Sequence, residues 1–411
     1  MHVVYTVQRT LPAPLTGSEN YIYDLGRLIS ESDRVTILAT RGNGDRPPNP
    51  DNVGSGEVLT FPERDLRSLG LALRYLMIKD PTGLLRYGVA YPANGLLHSW
   101  SYGYWSPKMY EWLRAAHPDV LHCQALPLAT TWVGWKASRA TKCPFVITPS
   151  LHLEDPNFGL PYIGRIVRDA DAVIAQTETE KRYIVRLGVP PERTWVIPPG
   201  VNPDSSRRGS GSRFRSASKI APDDFVVLIP RKLKEKGTFH TLAALQELGK
   251  EGRHPVGVVL GTSPWPIQRS LQSWVAKLSA VGTRVVDAGF LSEQAFRDCV
   301  AACDVLVEPS MVDSFGMVYQ DAWMAGKPVI AADCGAIPDV VRDHEDGILV
   351  PYGSSESIAE AIRYLMDNRG TAQRLGERGR TETLERYDNR QLAGRVRKVY
   401  DAAIAHQEAS R

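Results

Sequence analysis

Short, uninterrupted runs of apolar residues, many of them β-branched, recur along this chain. Between them lie longer stretches whose apolar positions fall at helical spacing. The clearest runs cover residues 2–6, 34–39, 120–123, 145–148, 172–175, 225–229, 256–260, 284–286, 304–307 and 328–332. A run without polar alternation suits a strand covered on both faces. Strand, helix, strand repetition predicts α/β architecture with parallel sheets built from βαβ units. The rhythm breaks once, at residues 204–219, DSSRRGSGSRFRSASK, which are rich in Ser, Gly and Arg. That composition predicts a solvated linker. A first α/β domain is therefore expected over 1–200 and a second over 201–385. The remaining segment, 386–411, reads as a helix with no strand of its own, expected to pack back on the first domain. Ligands in open parallel sheets sit at the carboxyl ends of the strands.

Composition narrows the class. With 411 residues, 43% hydrophobic and 23% charged, the chain can bury large cores without staples. Its 49 basic and 46 acidic residues leave a net charge of +3, too mild for nucleic acid as the main partner. The five cysteines are scattered and odd in number, which argues against a disulfide framework. Cys299 and Cys303, one helical turn apart, read as small core residues, since no second Cys/His pair completes a metal site. The start, MHVVYTVQRT, lacks a basic stretch followed by a long apolar run, and no run of about 18 apolar residues occurs. Neither a signal peptide nor a membrane span is expected, and the cytoplasm is the default location. Residues 69–113 are crowded with Leu, Tyr and Trp. They read as a helical subdomain on the sheet, an acceptor-site wall, or a patch for peripheral contact with a membrane surface.

The strongest chemical signal is residues 308–353, EPSMVDSFGMVYQDAWMAGKPVIAADCGAIPDVVRDHEDGILVPYG. It reads as a strand end, a loop carrying Asp313 and Ser314, and a helix starting near Phe315 and Gly316, with Asp321 on the helix. The amides of Phe315, Gly316 and Met317 are then free at a helix N-terminus, where free N–H groups and the helix dipole favour an anion. Gly316 permits close approach of a ligand to the backbone. Asp321 can accept from two hydroxyls at once, as a ribose offers. Upstream, FVVLIPRKLKEKG places Arg231 and Lys236 five apart after a buried strand.

These blocks resemble family 4 retaining glycosyltransferases of the GT-B fold, whose signature is a carboxylate, seven residues, and a second carboxylate. The usual residues are Glu at both places; here they are Asp313 and Asp321. The family's Gly-Arg and Lys-Gly pattern matches Arg231 and Lys236, with Pro230 in place of the Gly. VIPPGVNPD (196–204) resembles the segment leading into the second domain. Phe290 and Leu291, in DAGFLSEQAF, resemble the loop that holds the nucleobase. LTGSEN (15–20) stands where the family has Gly-Gly facing the donor phosphates, represented here by Gly17 and Ser18. His152, in ITPSLHLED, matches a His that the family often places near the reacting sugar, where an imidazole can bind a hydroxyl or help the acceptor lose its proton. His122 is a lesser candidate of the same kind and reads better as core packing.

The resemblance implies two Rossmann-like domains whose parallel sheets face across a cleft. It implies a retaining hexosyltransferase that moves a sugar from a UDP- or GDP-sugar to an acceptor hydroxyl, in carbohydrate biosynthesis. Arg231 and Lys236 would take the diphosphate, Asp313 the sugar hydroxyls, Asp321 the ribose. Fixed cations stabilise a departing nucleoside diphosphate more in the transition state than before it. They do a metal's electrostatic work, so no metal or other cofactor is expected. Asp169-Ala170-Asp171 matches a metal-binding motif of another fold but precedes a strand, at a helix end. The acceptor stays open between lipid-linked, small-molecule and saccharide classes. Rival readings are an epimerase or phosphorylase on the same fold, or a nucleotide-sugar-binding protein without turnover.

Overall fold

The computed structural model describes residues 1–8, 17–41, 54–62, 105–155, 158, 161–203 and 209–410; Ser18 is described by its backbone alone. Two units form: Met1–Gly200 together with Asn389–Arg411, and Val201–Asp388.

The first unit runs β1 (His2–Thr6), α1 (Gly17–Ile29), β2 (Arg34–Arg41), β3 (Glu57–Pro62), α2 (Pro107–Ala116), β4 (Val120–Gln124), α3 (Ala129–Thr141), β5 (Phe145–Thr148), α4 (Pro161–Arg168), β6 (Ala172–Ala175), α5 (Glu178–Arg186) and β7 (Thr194–Val196). Its strands make one sheet in the order β3-β2-β1-β4-β5-β6-β7, parallel throughout. The second unit runs α6 (Gly211–Ala217), β8 (Val226–Ile229), α7 (Thr238–Lys250), β9 (Val256–Leu260), α8 (Trp265–Ala280), β10 (Val285–Gly289), α9 (Glu293–Ala302), β11 (Val305–Glu308), α10 (Met317–Met324), β12 (Val329–Ala332), β13 (Gly347–Val350), α11 (Ser355–Asp367) and α12 (Arg369–Arg386). Its sheet, also parallel, has the order β10-β9-β8-β11-β12-β13. In both sheets the order reverses beside the first strand, which is the doubly wound Rossmann arrangement. α13 (Asn389–Ala409) then belongs to the first unit.

The unbroken apolar runs follow from this layering. On β8, Val226 and Leu228 pack into one core while Val227 and Ile229 pack into another on the opposite face. Alternate side chains of a strand point to opposite faces, so a strand with helices on both sides needs apolar residues everywhere. Cys299 and Cys303 lie in the first of these cores.

α13 places Leu392, Val396, Val399, Tyr400 and Ala403 inside the first unit. Such i, i+4, i+7, i+8, i+11 spacing makes one apolar stripe. Tyr400 hydroxyl meets the hydroxyl of Tyr5 at 2.8 Å and Nδ1 of His122 at 2.9 Å; Nε2 of His122 meets Thr148 Oγ1 at 2.8 Å. Burial lowers the His122 pKa to about 3, so the ring is a neutral link in a buried chain, one nitrogen donating and the other accepting.

The expected solvated linker is corrected in part. Residues 204–208 lie outside the described residues. The rest forms α6, with Phe214 buried and Arg213 held to Asp298 by two hydrogen bonds of 2.5 and 2.7 Å. Its serine and arginine residues are spent on capping and ion pairing against α9: Ser210 accepts from the Arg213 amide. Of the aromatic region 69–113, residues 69–104 are outside the described part. Residues 105–113 lead into and form most of α2, which buries Met109 and Leu113. Among the described residues no helix is long and apolar enough to cross a membrane.

Candidate functional site

In the second unit the strand order reverses between β8 and β11, and their carboxyl ends carry the loops of interest. After β8 come Pro230, Arg231 and Lys232, a 3₁₀ turn at Lys234–Lys236, then Gly237 with φ +74° at the head of α7. Three hydrogen bonds fix this loop. Thr238 Oγ1 donates to Arg231 O at 2.5 Å and accepts from the Leu233 amide at 3.2 Å, and the Met311 amide donates to Glu235 O at 2.9 Å. The last bond stitches the β8 loop to the β11 loop. Gly237 is needed because a Cβ there would stand 2.5 Å from Pro309 O, and because a positive φ is strained for other residues.

The stitching brings Lys236 onto the β11 loop. Its Nζ donates to Asp313 Oδ1 at 2.6 Å and to Val312 O at 2.9 Å, and lies 3.9 Å from Glu308 Oε1. Glu308 ends β11 and is only 3% exposed. Burial raises its carboxyl pKa, Lys236 and Arg231 oppose that, and Asp313 adds to it.

α10 begins at Gly316, φ +82°, with no side-chain cap. A Cβ on Gly316 would collide with the Tyr319 ring. Phe315 is buried edge-on against Tyr387, centroids 5.5 Å apart, so its contribution to a ligand is confined to its backbone. Ser314 and Met317 are half-buried beside it. Asp321 lies on α10 and water reaches it. Crowding by protein raises its carboxyl pKa, while Arg231 and Arg297 lower it. Arg231, itself exposed, thus acts on both Glu308 and Asp321. Arg231, Lys236, Asp313 and Asp321 belong to one locus, beside the uncapped start of α10.

The adjacent strand ends add a second cluster. Lys232, buried, pairs with Asp287 at 2.5 Å. Asp287 also accepts from Gln268 at 3.0 Å and from the Gly289 amide at 3.1 Å. The Gly261 amide donates to Gly289 O at 2.7 Å. This fixes the turn into Phe290, 61% exposed, and Leu291, half-buried. Sequence reasoning missed Lys232 and Glu308. A charge closing the otherwise apolar VLVE strand was the available signal for Glu308. Lys232 stood in a charge run that gave it no distinction.

The other sequence-chosen residues are in the first unit. His152 follows β5 and lies against the Phe158 ring, centroids 5.0 Å apart. Its loop is held by Glu180, fully buried on α5, which accepts from the Leu151 and Gln176 amides at 2.7 Å each. Burial pushes the Glu180 carboxyl up to about 7. Gly17 opens α1 and is half-buried; the Ser18 side chain lies outside the described residues. Asp169 and Asp171 are in structural use: Asp169 accepts from Trp135 Nε1 at 3.1 Å, and Asp171 from the Phe145 amide at 2.8 Å.

Comparison with known proteins bears on the two units in turn. Residues 212–382 match the family model described as glycosyl transferases group 1, and residues 16–200 match a glycosyl transferase 4-like domain. The D-inositol 3-phosphate glycosyltransferase of Streptomyces bingchenggensis is 29% identical over 293 residues, 66% of this chain and 64% of that protein. The like-named protein of Xylanimonas cellulosilytica is 26% identical over 404 residues, 96% and 93% of the two chains. The matched part spans 49% to 64% of the length of the first four curated relatives. Among solved structures, Anabaena HepE in complex with UDP and glucose superposes with a TM-score of 0.73 at 18% identity, covering 98% of this chain and 100% of that one. The fold is GT-B, with a glycosyl transferases group 1 domain over residues 212–382 and a glycosyl transferase 4-like domain over residues 16–200.

Proposed function

We propose that the protein is a retaining glycosyltransferase that moves a hexose from a nucleoside diphosphate sugar to an acceptor hydroxyl without a metal. The observation that carries this is the joining of Lys236 to Asp313 at 2.6 Å, with Arg231 acting on the same locus, at the switch point of the second sheet. Ligands of open α/β sheets bind at that point.

The donor diphosphate would lie over Arg231, Lys236 and the first amides of α10. Lys236 would turn part of its hydrogen bonding from Asp313 to phosphate. Asp321 would take the ribose, Phe290 and Leu291 would border the base, and Asp313 would address the sugar hydroxyls. As the glycosidic bond breaks, charge grows on the departing phosphate. Preorganised cations and amides gain most from that charge in the transition state. Attack on the face the diphosphate leaves keeps the anomeric configuration, and that phosphate takes the acceptor's proton. His152 would contact the acceptor or the reacting sugar.

A UDP-sugar is the first donor to try, since HepE was solved with UDP and glucose. The names of the relatives suggest a small phosphorylated polyol as the first acceptor. A thermal-shift screen of UDP, GDP and ADP sugars tests the reading. A ligand at about 100 times its Kd stabilises by roughly 2.7 kcal/mol. A clear shift with one nucleotide family supports the reading, and turnover with an acceptor completes it. No shift with any of them overturns it.

A further inference from the structure

Glu308 has no part in the scheme above, yet it lies beneath the same locus. Its Oε1 is 3.9 Å from Lys236 Nζ, and its Oε2 is buried with no hydrogen-bond donor among the described residues. Its backbone oxygen accepts from the Tyr319 hydroxyl of α10 at 2.7 Å and from the Ser310 amide at 2.8 Å, so the residue is held in place at the strand end. The charged groups acting on it are Lys236 and Arg231 from the β8 loop and Asp313 from the β11 loop; Tyr319, from α10, is kept neutral by burial.

With every carboxyl ionised, three cations here (Lys236, Arg231 and Arg297) face three anions (Glu308, Asp313 and Asp321). A diphosphate carrying two negative charges would then meet no net positive charge. Protonating one carboxyl leaves a net charge of +1. Asp313 accepts a hydrogen bond from the Lys236 ammonium at 2.6 Å. Glu308 is the deepest of the three, since water reaches Asp321 and Asp313 is only half-buried, and it lacks that bond, so the proton belongs there. On Glu308 it also supplies a donor where buried carboxyl oxygens otherwise meet.

We propose that Glu308 is a positioning residue of the donor site, which takes up one proton from solvent as a nucleotide sugar binds beside Lys236. This rests on the donor reading given above. Burial already holds the Glu308 carboxyl above its ordinary range, and a bound diphosphate raises it further. Between the free and bound values, donor affinity falls as pH rises, by at most about tenfold per pH unit. The diphosphate of a nucleotide sugar is a diester that does not titrate near neutrality, so the proton has to come to the protein.

Isothermal calorimetry with UDP-, GDP- and ADP-glucose, from pH 6.5 to 8.5, in two buffers of different ionisation enthalpy, tests this. The expected result is uptake approaching one proton at pH 8, with affinity weakening roughly three- to tenfold per pH unit above neutrality. Glu308→Gln should abolish the uptake, flatten the profile and bind several-fold more tightly than wild type at pH 8. Wild-type binding without proton uptake overturns the inference and leaves the donor reading intact. Uptake that persists in Glu308→Gln also overturns it, since Asp313 or Asp321 would then be the source. Should Glu308→Gln fail to fold, Asp313→Asn and Asp321→Asn serve together: uptake retained in both supports Glu308, and uptake lost in either overturns it. No binding of any of the three sugars to wild type overturns the donor reading and this inference together.

Discussion

Lys236 has three oxygen neighbours within 4 Å and is only 14% exposed in its side chain. An ammonium so placed is oriented before any ligand arrives, which is what transition-state stabilisation asks of it. Replacing it by Ala should lower kcat/KM by about 10²- to 10³-fold, as for removal of other preorganised donors. Steady-state rates with the donor found by thermal shift would show this, and a loss below threefold would remove Lys236 from the chemistry. Arg231 and Lys236 were legible in the sequence because they follow a buried strand at fixed spacing, and Asp313 and Asp321 because a long block surrounds them. Lys232 and Glu308 were not. Their importance comes from which strand ends lie side by side: Lys232 reaches Asp287 from β8 across β9 to β10. A linear pattern carries no trace of that neighbourhood.

The β8 loop depends on a glycine as much as on its cations. Gly237 and Gly252 share a positive φ, +74° and +79°, but a Cβ on Gly237 meets Pro309 O at 2.5 Å while one on Gly252 meets nothing within 4 Å. Ala at either site should cost about 1 kcal/mol for the left-handed backbone. Gly237→Ala should also push the β8 loop off the β11 loop and weaken donor binding about tenfold, whereas Gly252→Ala should leave it unchanged. Thermal unfolding and a binding titration on both variants separate strain from displacement; equal affinities would mean that the loop contact does not set the site. The elements themselves were legible unevenly. All ten strands expected from the apolar runs are present. The three missed, β3, β7 and β13, are all edge strands. β3 is only half-buried along most of its length and β7 has three residues. The runs of β3 and β7 are therefore too weak to read, whereas β13, GILV, is a buried apolar run that sequence reasoning missed.

The chain leaves its first unit at Gly200 and re-enters it at Asn389, so that unit is completed only by the last helix. The return of that segment was expected from its lack of a strand partner; the polar part of its attachment was not readable. Tyr400, His122, Tyr5 and Thr148 come from four separate stretches, and only the fold joins them. α13 buries Leu392, Val396, Val399, Tyr400 and Ala403. At about 1.5–3 kcal/mol for each large apolar side chain, their burial is worth roughly 8 kcal/mol. That is comparable to the whole stability of a domain, about 5–15 kcal/mol. Deleting residues 389–411 would also remove the hydrogen-bond partner that Tyr400 gives to His122 Nδ1 and to the Tyr5 hydroxyl. The second unit keeps all its core residues, since its buried clusters lie within 201–388. Hydrogen exchange followed by mass spectrometry on the deletion variant should therefore show protection lost in β1, β4 and β5 and kept in β8 and β11. Protection of β1 at the intact level would mean that the first unit folds without its returning helix, and that the stripe on α13 covers a face already stable alone.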